Sequence, residues 1–411
     1  MSMKNITDSS DEIIKCYFLI LPICIFQHLC DKYLNFPNIK NLRQTNKKCN
    51  KIKIKSFDGL DIKYIKKLNN DIIRHYPHLE ILNVNNNIKV TDINHLKYLK
   101  QLNASGNMCG ISDESIKHLT NLEILGIFGN HQIKNINHMV NLKILDMSTN
   151  FEISDKNIKN LTNLEELDMI GKSQITSINH LQKLKYLWIG SKINNDGIKN
   201  LTNLEQLSIE RNMNVTDINH MKNLKILRVS TGSNLNNKSI KDLTNLEELY
   251  TNYNPDITNI NHMKNLKILE ASSMEFNGIC GISDESICEL VNLEKLTVNG
   301  NANVTNVNHM TKLKILFASC QFEECGINDF GIKNLINMEE LFVDNNKKIT
   351  NVNHMKKLKF LAASNNCGID NNGIKDLENL LNIWNNNNEK LKGKYKNTGY
   401  KSTPNEFWIG Y

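Results

Sequence analysis

"LEILGIFGNHQIKNINHM" (residues 122–139) is followed, after two intervening residues, by "LKILDMSTNFEISDKNIKNL" (142–161). Both open with one frame, L-x-x-L-x-L-x-x-N. The frame recurs along most of the 411-residue chain. Its leading apolar residues are Leu79, Leu99, Leu122, Leu142, Leu164, Leu184, Leu204, Leu224, Leu246, Leu266, Leu293, Leu313, Met338, Leu358 and Leu380, which makes fifteen repeats. Self-similarity at a period of 20–50 residues marks an array of stacked units. Two types alternate. One carries "NLE…INHM" and is always 20 residues long; the other carries "NLK…IKNL" and runs from 20 to 27.

The frame predicts its own geometry. Side chains at positions 1, 4 and 6 point inward and form one rung of a continuous core. The residues around position 4 form a short strand, stacked in parallel on the next about 4.8 Å away. Position 9 is Asn in ten of the fifteen repeats, for example Asn130, Asn150 and Asn254. A buried amide needs partners, and turn backbone supplies them. The second type returns through segments such as "SDESIKHL", whose Ser-Asp pairs are helix-start signals. This pattern over residues 79–388 resembles the leucine-rich repeat family. The resemblance implies an α/β solenoid of parallel strands with an irregular or short-helical outer side. Residues 51–78 read as an irregular first repeat or cap.

Position 2 alternates in charge. Glu80, Glu123, Glu165, Glu205, Glu247, Glu294 and Glu339 occupy the first type; Lys100, Lys143, Lys185, Lys225, Lys267, Lys314 and Lys359 occupy the second. Stacked, they form a Glu-Lys ladder in which a one-repeat slip would set like charges together. These lysines are engaged, so the net charge of +7 does not argue for a nucleic-acid surface.

A histidine column (His95, His138, His180, His220, His262, His309, His354) occupies every second repeat. Its members are then at least about 9.5 Å apart, twice the strand spacing. Ligands sharing one zinc lie within about 4 Å of one another. No shared metal is expected, and the histidines read as turn architecture. The "CGI" cysteines Cys109, Cys280, Cys325 and Cys367 are likewise too far apart to pair, since a disulfide needs Cα atoms within about 7 Å. They read as small buried residues in a reduced, intracellular chain. The apolar run 17–26 is too short to span a bilayer, and Asp8, Asp11 and Glu12 precede it. Neither secretion nor membrane insertion is expected, and the location expected is cytoplasmic or nuclear.

A solenoid of this kind binds partners on its concave strand face. Outward positions near the start of the array are small or Asn, as at Asn83, Asn85, Asn103 and Ser105. The middle differs: Trp188, Glu210, Arg211, Arg228, Tyr250, Tyr253 and Glu270 fall on successive rungs, and Phe317 and Phe342 continue the column. Aromatic and Arg residues are enriched in interface hot spots, and aromatics also simply cover strands. The long insertions 270–286 and 317–331 are candidate recognition loops.

Residues 13–50 lie outside the frame. Leu21-Pro22, Ile25-Phe26, Leu29, Ile39, Leu42-Arg43 and Asn46-Lys47 resemble an F-box, although the interval after Leu21-Pro22 is compressed and Cys49 stands near the usual aromatic. The resemblance implies docking on a Skp-type linker and, through it, a cullin-type ubiquitin ligase, with the repeats holding substrate. The layout also resembles leucine-rich repeat proteins of large DNA viruses of amoebae. The rival reading of 13–50 is a helical cap over the first rung. The C-terminal tail, 389–411, interleaves five lysines with Tyr395, Tyr400, Phe407, Trp408 and Tyr411. It is expected to be poorly ordered, with part folding over the last repeat; a nucleic-acid contact through stacking is the rival reading. No P-loop, G-x-S-x-G, H-E-x-x-H or paired C-x-x-C motif occurs. The expectation is a non-catalytic protein-binding molecule without cofactor or metal: a ligase adaptor, or a stand-alone scaffold or inhibitor.

Overall fold

The computed structural model describes residues 55–57, 60, 62–230, 232–274, 278–320 and 325–392. The F-box-like residues Leu21, Pro22, Ile25, Phe26, Leu29, Leu42 and Asn46 lie outside them, as does the tail beyond residue 392. The chain forms two compact units, Met1–Gln174 and Ile175–Tyr411.

In the first unit, β1 (Ile81–Asn83), β2 (Gln101–Asn103), β3 (Ile124–Gly126), β4 (Ile144–Asp146) and β5 (Glu166–Asp168) pair in parallel, each with the next. Ser56 bridges to Ile81 ahead of β1. In the second unit the same ladder runs through β6 (Tyr186–Trp188), β7 (Gln206–Ile209), β8 (Ile226–Val229), β9 (Glu248–Tyr250) and β10 (Ile268–Glu270). It continues through β11 (Lys295–Thr297), β12 (Ile315–Phe317), β13 (Glu340–Phe342), β14 (Phe360–Ala362) and β15 (Asn382–Trp384). Each strand coincides with the x-L-x segment of one repeat. Leu79, Leu82 and Val84, at positions 1, 4 and 6, are 0% exposed, and later rungs repeat this. Each such side chain contributes about 1.5–3 kcal/mol by leaving water.

Buried asparagines hold the rungs in step. Asn212 Nδ2 donates to the Gly190 and Ile193 carbonyls at 2.6 and 3.0 Å, while its Oδ1 accepts from the Asn214 and Val215 amides. Asn130, Asn150, Asn301 and Asn346 repeat the arrangement, each Nδ2 reaching two carbonyls of the repeat before. Turn backbone that would otherwise be orphaned is thereby satisfied. On the return side, Ser112 and Ser283 start the short helices Asp113–Ile116 and Asp284–Ile287. The hydroxyls of Ser115 and Ser286 donate across to Thr91 and Thr258 carbonyls at 2.6 Å.

The histidines do the work of struts. His138, His220, His262, His309 and His354 each place Nε2 2.9–3.1 Å from an Ile carbonyl of the preceding repeat. A carbonyl only accepts, so Nε2 carries the proton in every case. That nitrogen is then not a metal ligand. The charge ladder forms with a phase. Lys143, Lys225, Lys267, Lys314 and Lys359 pair with Glu123, Glu205, Glu247, Glu294 and Glu339 of the repeat before, at 2.5–3.0 Å. The ladder thus resolves into Glu-Lys couples within these five pairs of repeats, whereas Glu80 pairs with Lys55 ahead of it. Hydrogen bonding and charge from the paired glutamate hold the Lys267 ammonium above its ordinary range.

Cys325 departs from the expectation of isolated thiols. Its sulfur is bonded to Cys320, with Cα atoms 5.2 Å apart. Spacing arithmetic compares the CGI cysteines with one another and overlooks a partner inside the same insertion. The expectation of a wholly reduced chain fails at this pair. Cys109, Cys280 and Cys367 are buried thiols as expected. Burial pushes Cys280 and Cys367 up to about 11, whereas Cys288 is exposed. Thiolates are the reactive form. Alkylation of the folded chain should therefore modify Cys288, leave Cys109, Cys280 and Cys367 until denaturant is added, and find Cys320 and Cys325 joined until reductant is added. Peptide mass mapping reads all three; Cys280 reacting as fast as Cys288 would contradict the packing. Among the described residues, no helix is long and apolar enough to cross a membrane.

Candidate partner-binding face

Strand alternation sends position 4 inward and positions 3 and 5 outward. Position 5 therefore forms a straight row on the open side of the sheet. In the second unit its register runs Trp188, Ser208, Arg228, Tyr250, Glu270, Thr297, Phe317, Phe342, Ala362, Trp384. Six of the residues picked out from sequence share this row. Glu210, Arg211 and Tyr253 stand beside it at the turns that follow β7 and β9.

The row is internally braced. The Arg228 guanidinium lies 3.8 Å from the Tyr250 ring centroid, a cation–π contact contributing about 0.5–2 kcal/mol. The Tyr250 hydroxyl donates to Glu248 at 2.7 Å. Burial, and then that carboxylate, push the Tyr250 phenol far above its ordinary range, so it remains a donor at any physiological pH. Glu270 accepts from Asn252 at 3.1 Å and faces Lys295 at 3.6 Å. Phe317 and Phe342 stack face to face at 4.0 Å, and Phe360 meets Phe342 at 5.1 Å and Trp384 at 4.8 Å.

Arg211 and Tyr253 occupy an unusual backbone state. Position 8 turns the chain toward the asparagine and takes a left-handed conformation. Gly129 and Gly300 fill it without strain, as do asparagines at Asn345 and Asn365. Arg211 and Tyr253 adopt it at φ 56° and 60°. For such side chains this costs about 1–3 kcal/mol relative to a relaxed backbone. Both lie on the open side: Arg211 is exposed and Tyr253 half-buried.

Glu248, Lys295, Phe360 and Trp384 were absent from the sequence-derived set although they stand on the same face. Position arithmetic contains the signal: Trp384 is position 5 of the final repeat, and Glu248, Lys295 and Phe360 are position 3 of theirs. In the first unit, position 5 reads Asn83, Asn103, Gly126, Asp146 and Asp168. It offers small and acidic groups without large anchors. Burial, with Asp146 nearby, raises the Asp168 carboxyl. Among the described residues, no group of three or more His, Cys, Asp or Glu is placed to hold a metal ion.

No protein-family model and no curated protein matches the chain. Solved structures do. A leucine-rich repeat protein of Leptospira interrogans superimposes with a TM-score of 0.54 at 23% identity, covering 80% of this chain and 94% of that one. An internalin of Listeria monocytogenes gives 0.49 at 23% identity, covering 65% and 81%. The first of these shows the fold: a leucine-rich repeat solenoid.

Proposed function

We propose that the protein is a non-catalytic scaffold that holds a protein ligand on the open strand face between β6 and β10, with Trp188, Arg228 and Tyr250 as anchors. The carrying observation is the pair Arg211 and Tyr253. Bulky side chains are kept at left-handed positions that Gly or Asn fill in most other repeats, Thr149 being the other exception. They flank the row that carries the stacked Arg228 and Tyr250. Strain of this kind clusters where side chains serve a ligand. The braces around Tyr250 and Glu270 also lower the entropy that a ligand must overcome to order them.

In this reading the ligand is a substrate, presented to a cullin-type ubiquitin ligase by the F-box-like residues Leu21–Leu29 and Leu42–Asn46. One observation favours a docking role over a mere cap. Ser56, Phe57 and residues 62–76 already build a rung ahead of β1: Ser56 pairs with Ile81, Phe57 packs edge-on against Tyr76 at 5.0 Å, and Ile65, Leu68 and Ile73 are buried. A purified Skp-type linker should bind the full chain and release it when residues 1–50 are deleted. Failure of the full chain to bind, or binding that survives the deletion, leaves the stand-alone scaffold or inhibitor in place.

The face has its own test. Trp188→Ala combined with Arg228→Ala should weaken ligand binding by about 1,000-fold, two hot spots each contributing about 2 kcal/mol. Unchanged affinity would move the site off this row.

A further inference from the structure

Position 5 of the first unit carries no large side chain, but the edge of the sheet beside it does. Ile88, Met108 and Phe151 stand at position 10 of their repeats, and Phe128 and Ile170 at position 7. In chain order Ile88, Met108, Phe128, Phe151 and Ile170 are 64%, 60%, 49%, 44% and 38% exposed. One falls on each rung from β1 to β5, so the row runs about 19 Å along the array. His131 fills position 10 on the β3 rung, and its ring packs on Phe151 with centroids 4.0 Å apart. A continuous run of large, bare apolar groups on a folded chain marks a surface that a partner covers.

The charge beside the row says what kind of partner fits. Asp146 and Asp168 are register partners on β4 and β5, about 4.8 Å apart, and Glu166 shares β5 with Asp168. All three are half-exposed. Like charges on neighbouring strands repel. Asp146 and Asp168 each accept the backbone amide two residues on, at 3.0 Å. Among the described residues, none of the three forms an ion pair. Outward carboxylates of the second unit differ: Glu248 accepts from Tyr250 at 2.7 Å and Glu270 faces Lys295 at 3.6 Å. Burial, and then the neighbouring carboxylates, raise the Glu166 carboxyl. A cation arriving from outside would relieve this repulsion. Ile170 lies two residues beyond Asp168 on the same outward side, and Phe128 two beyond Gly126, the register partner of Asp146. The acids and the apolar row therefore share a border.

We propose that this edge of the first unit docks a basic, apolar segment of a protein partner. Its lysines or arginines lie over Asp146, Glu166 and Asp168, and its apolar side chains lie on the row from Ile88 to Ile170. Gly126 leaves strand backbone bare for the partner's main chain to approach. This surface is separate from the β6–β10 face and takes a ligand of different chemistry.

Fluorescence anisotropy of a short labelled peptide that alternates lysine and leucine tests this on the full chain. Extended along the border, such a peptide turns its lysines to one side and its leucines to the other. It should bind, and more tightly at low salt than at high. A peptide alternating glutamate and leucine should not. Asp146→Asn, Glu166→Gln and Asp168→Asn together should weaken binding by about tenfold or more and remove its salt dependence. These changes relieve repulsion, so the variant should melt no lower than the parent chain, which separates lost binding from lost folding. Phe128→Ala with Phe151→Ala should weaken binding by a similar factor. No binding of the lysine peptide, equal binding of both peptides, or binding that survives the carboxamide changes would overturn the proposal. Binding lost with Trp188→Ala and Arg228→Ala instead would place the peptide on β6–β10 and overturn it equally. So would sedimentation showing self-association of the chain that Phe128→Ala abolishes, since the edge would then belong to a second copy.

Discussion

Replacing Asn301 with alanine is expected to destabilise the protein by about 3 kcal/mol, more than almost any other polar substitution in the chain. Asn301 is 1% exposed. Its Nδ2 donates to the Ala271 and Ile282 carbonyls at 2.9 and 3.1 Å, and its Oδ1 accepts from the Asn303 amide at 2.9 Å. Alanine strands those backbone groups away from water, at about 1–3 kcal/mol for each that finds no new partner. Asn366 supplies the control. It occupies the same repeat position but is exposed, so Asn366→Ala should stay within about 0.5 kcal/mol. Urea denaturation of the two variants reads the difference directly. Equal effects would mean that position 9 matters for its turn and not for its amide.

A second large effect belongs to the core. Leu296 centres β11 between Leu269 and Leu316 and is 0% exposed. Leu296→Ala should cost about 2–5 kcal/mol, the spread reflecting how far the neighbouring rungs collapse into the cavity. In a stack held by nearest-neighbour contacts the damage is local. Amide exchange should speed up in β10, β11 and β12 and stay unchanged in β6, β7 and β8. A uniform rise from β6 to β15 would show that the unit unfolds as one block.

The leucine frame made the fold legible because its period is written into single residues. Position 4 and its neighbours specify each strand, and Glu or Lys at position 2 specifies which rung it is. The histidine column was legible by arithmetic: a spacing too wide for a shared metal left the turn backbone as the partner, and Ile carbonyls are that partner for His138, His220, His262, His309 and His354. What stayed hidden depended on local backbone or on pairing at short range. Nothing about Arg211 or Tyr253 as residue types announces a left-handed turn. Cys320 sits outside the CGI motif, so no motif drew attention to its bond with Cys325.

The amides of the buried asparagines all point one way. Asn130 and Asn150, like Asn212, Asn301 and Asn346, give their protons to the repeat that precedes them, and the struts from His138 to His354 aim in the same direction. A repeat emerging from the ribosome thus finds its acceptors already built. Growth from the N-terminus satisfies each of these buried asparagine and histidine donors as it arrives. Trimming the array is correspondingly lopsided. Where these asparagine and histidine contacts are concerned, removal of repeats at the C-terminal end frees only carbonyls, which tolerate being left alone better than amide protons do, although strand amides such as those of Val84, Ala104 and Ile127 donate forward and lose their acceptors. Removal at the N-terminal end strands donors in the first surviving rung.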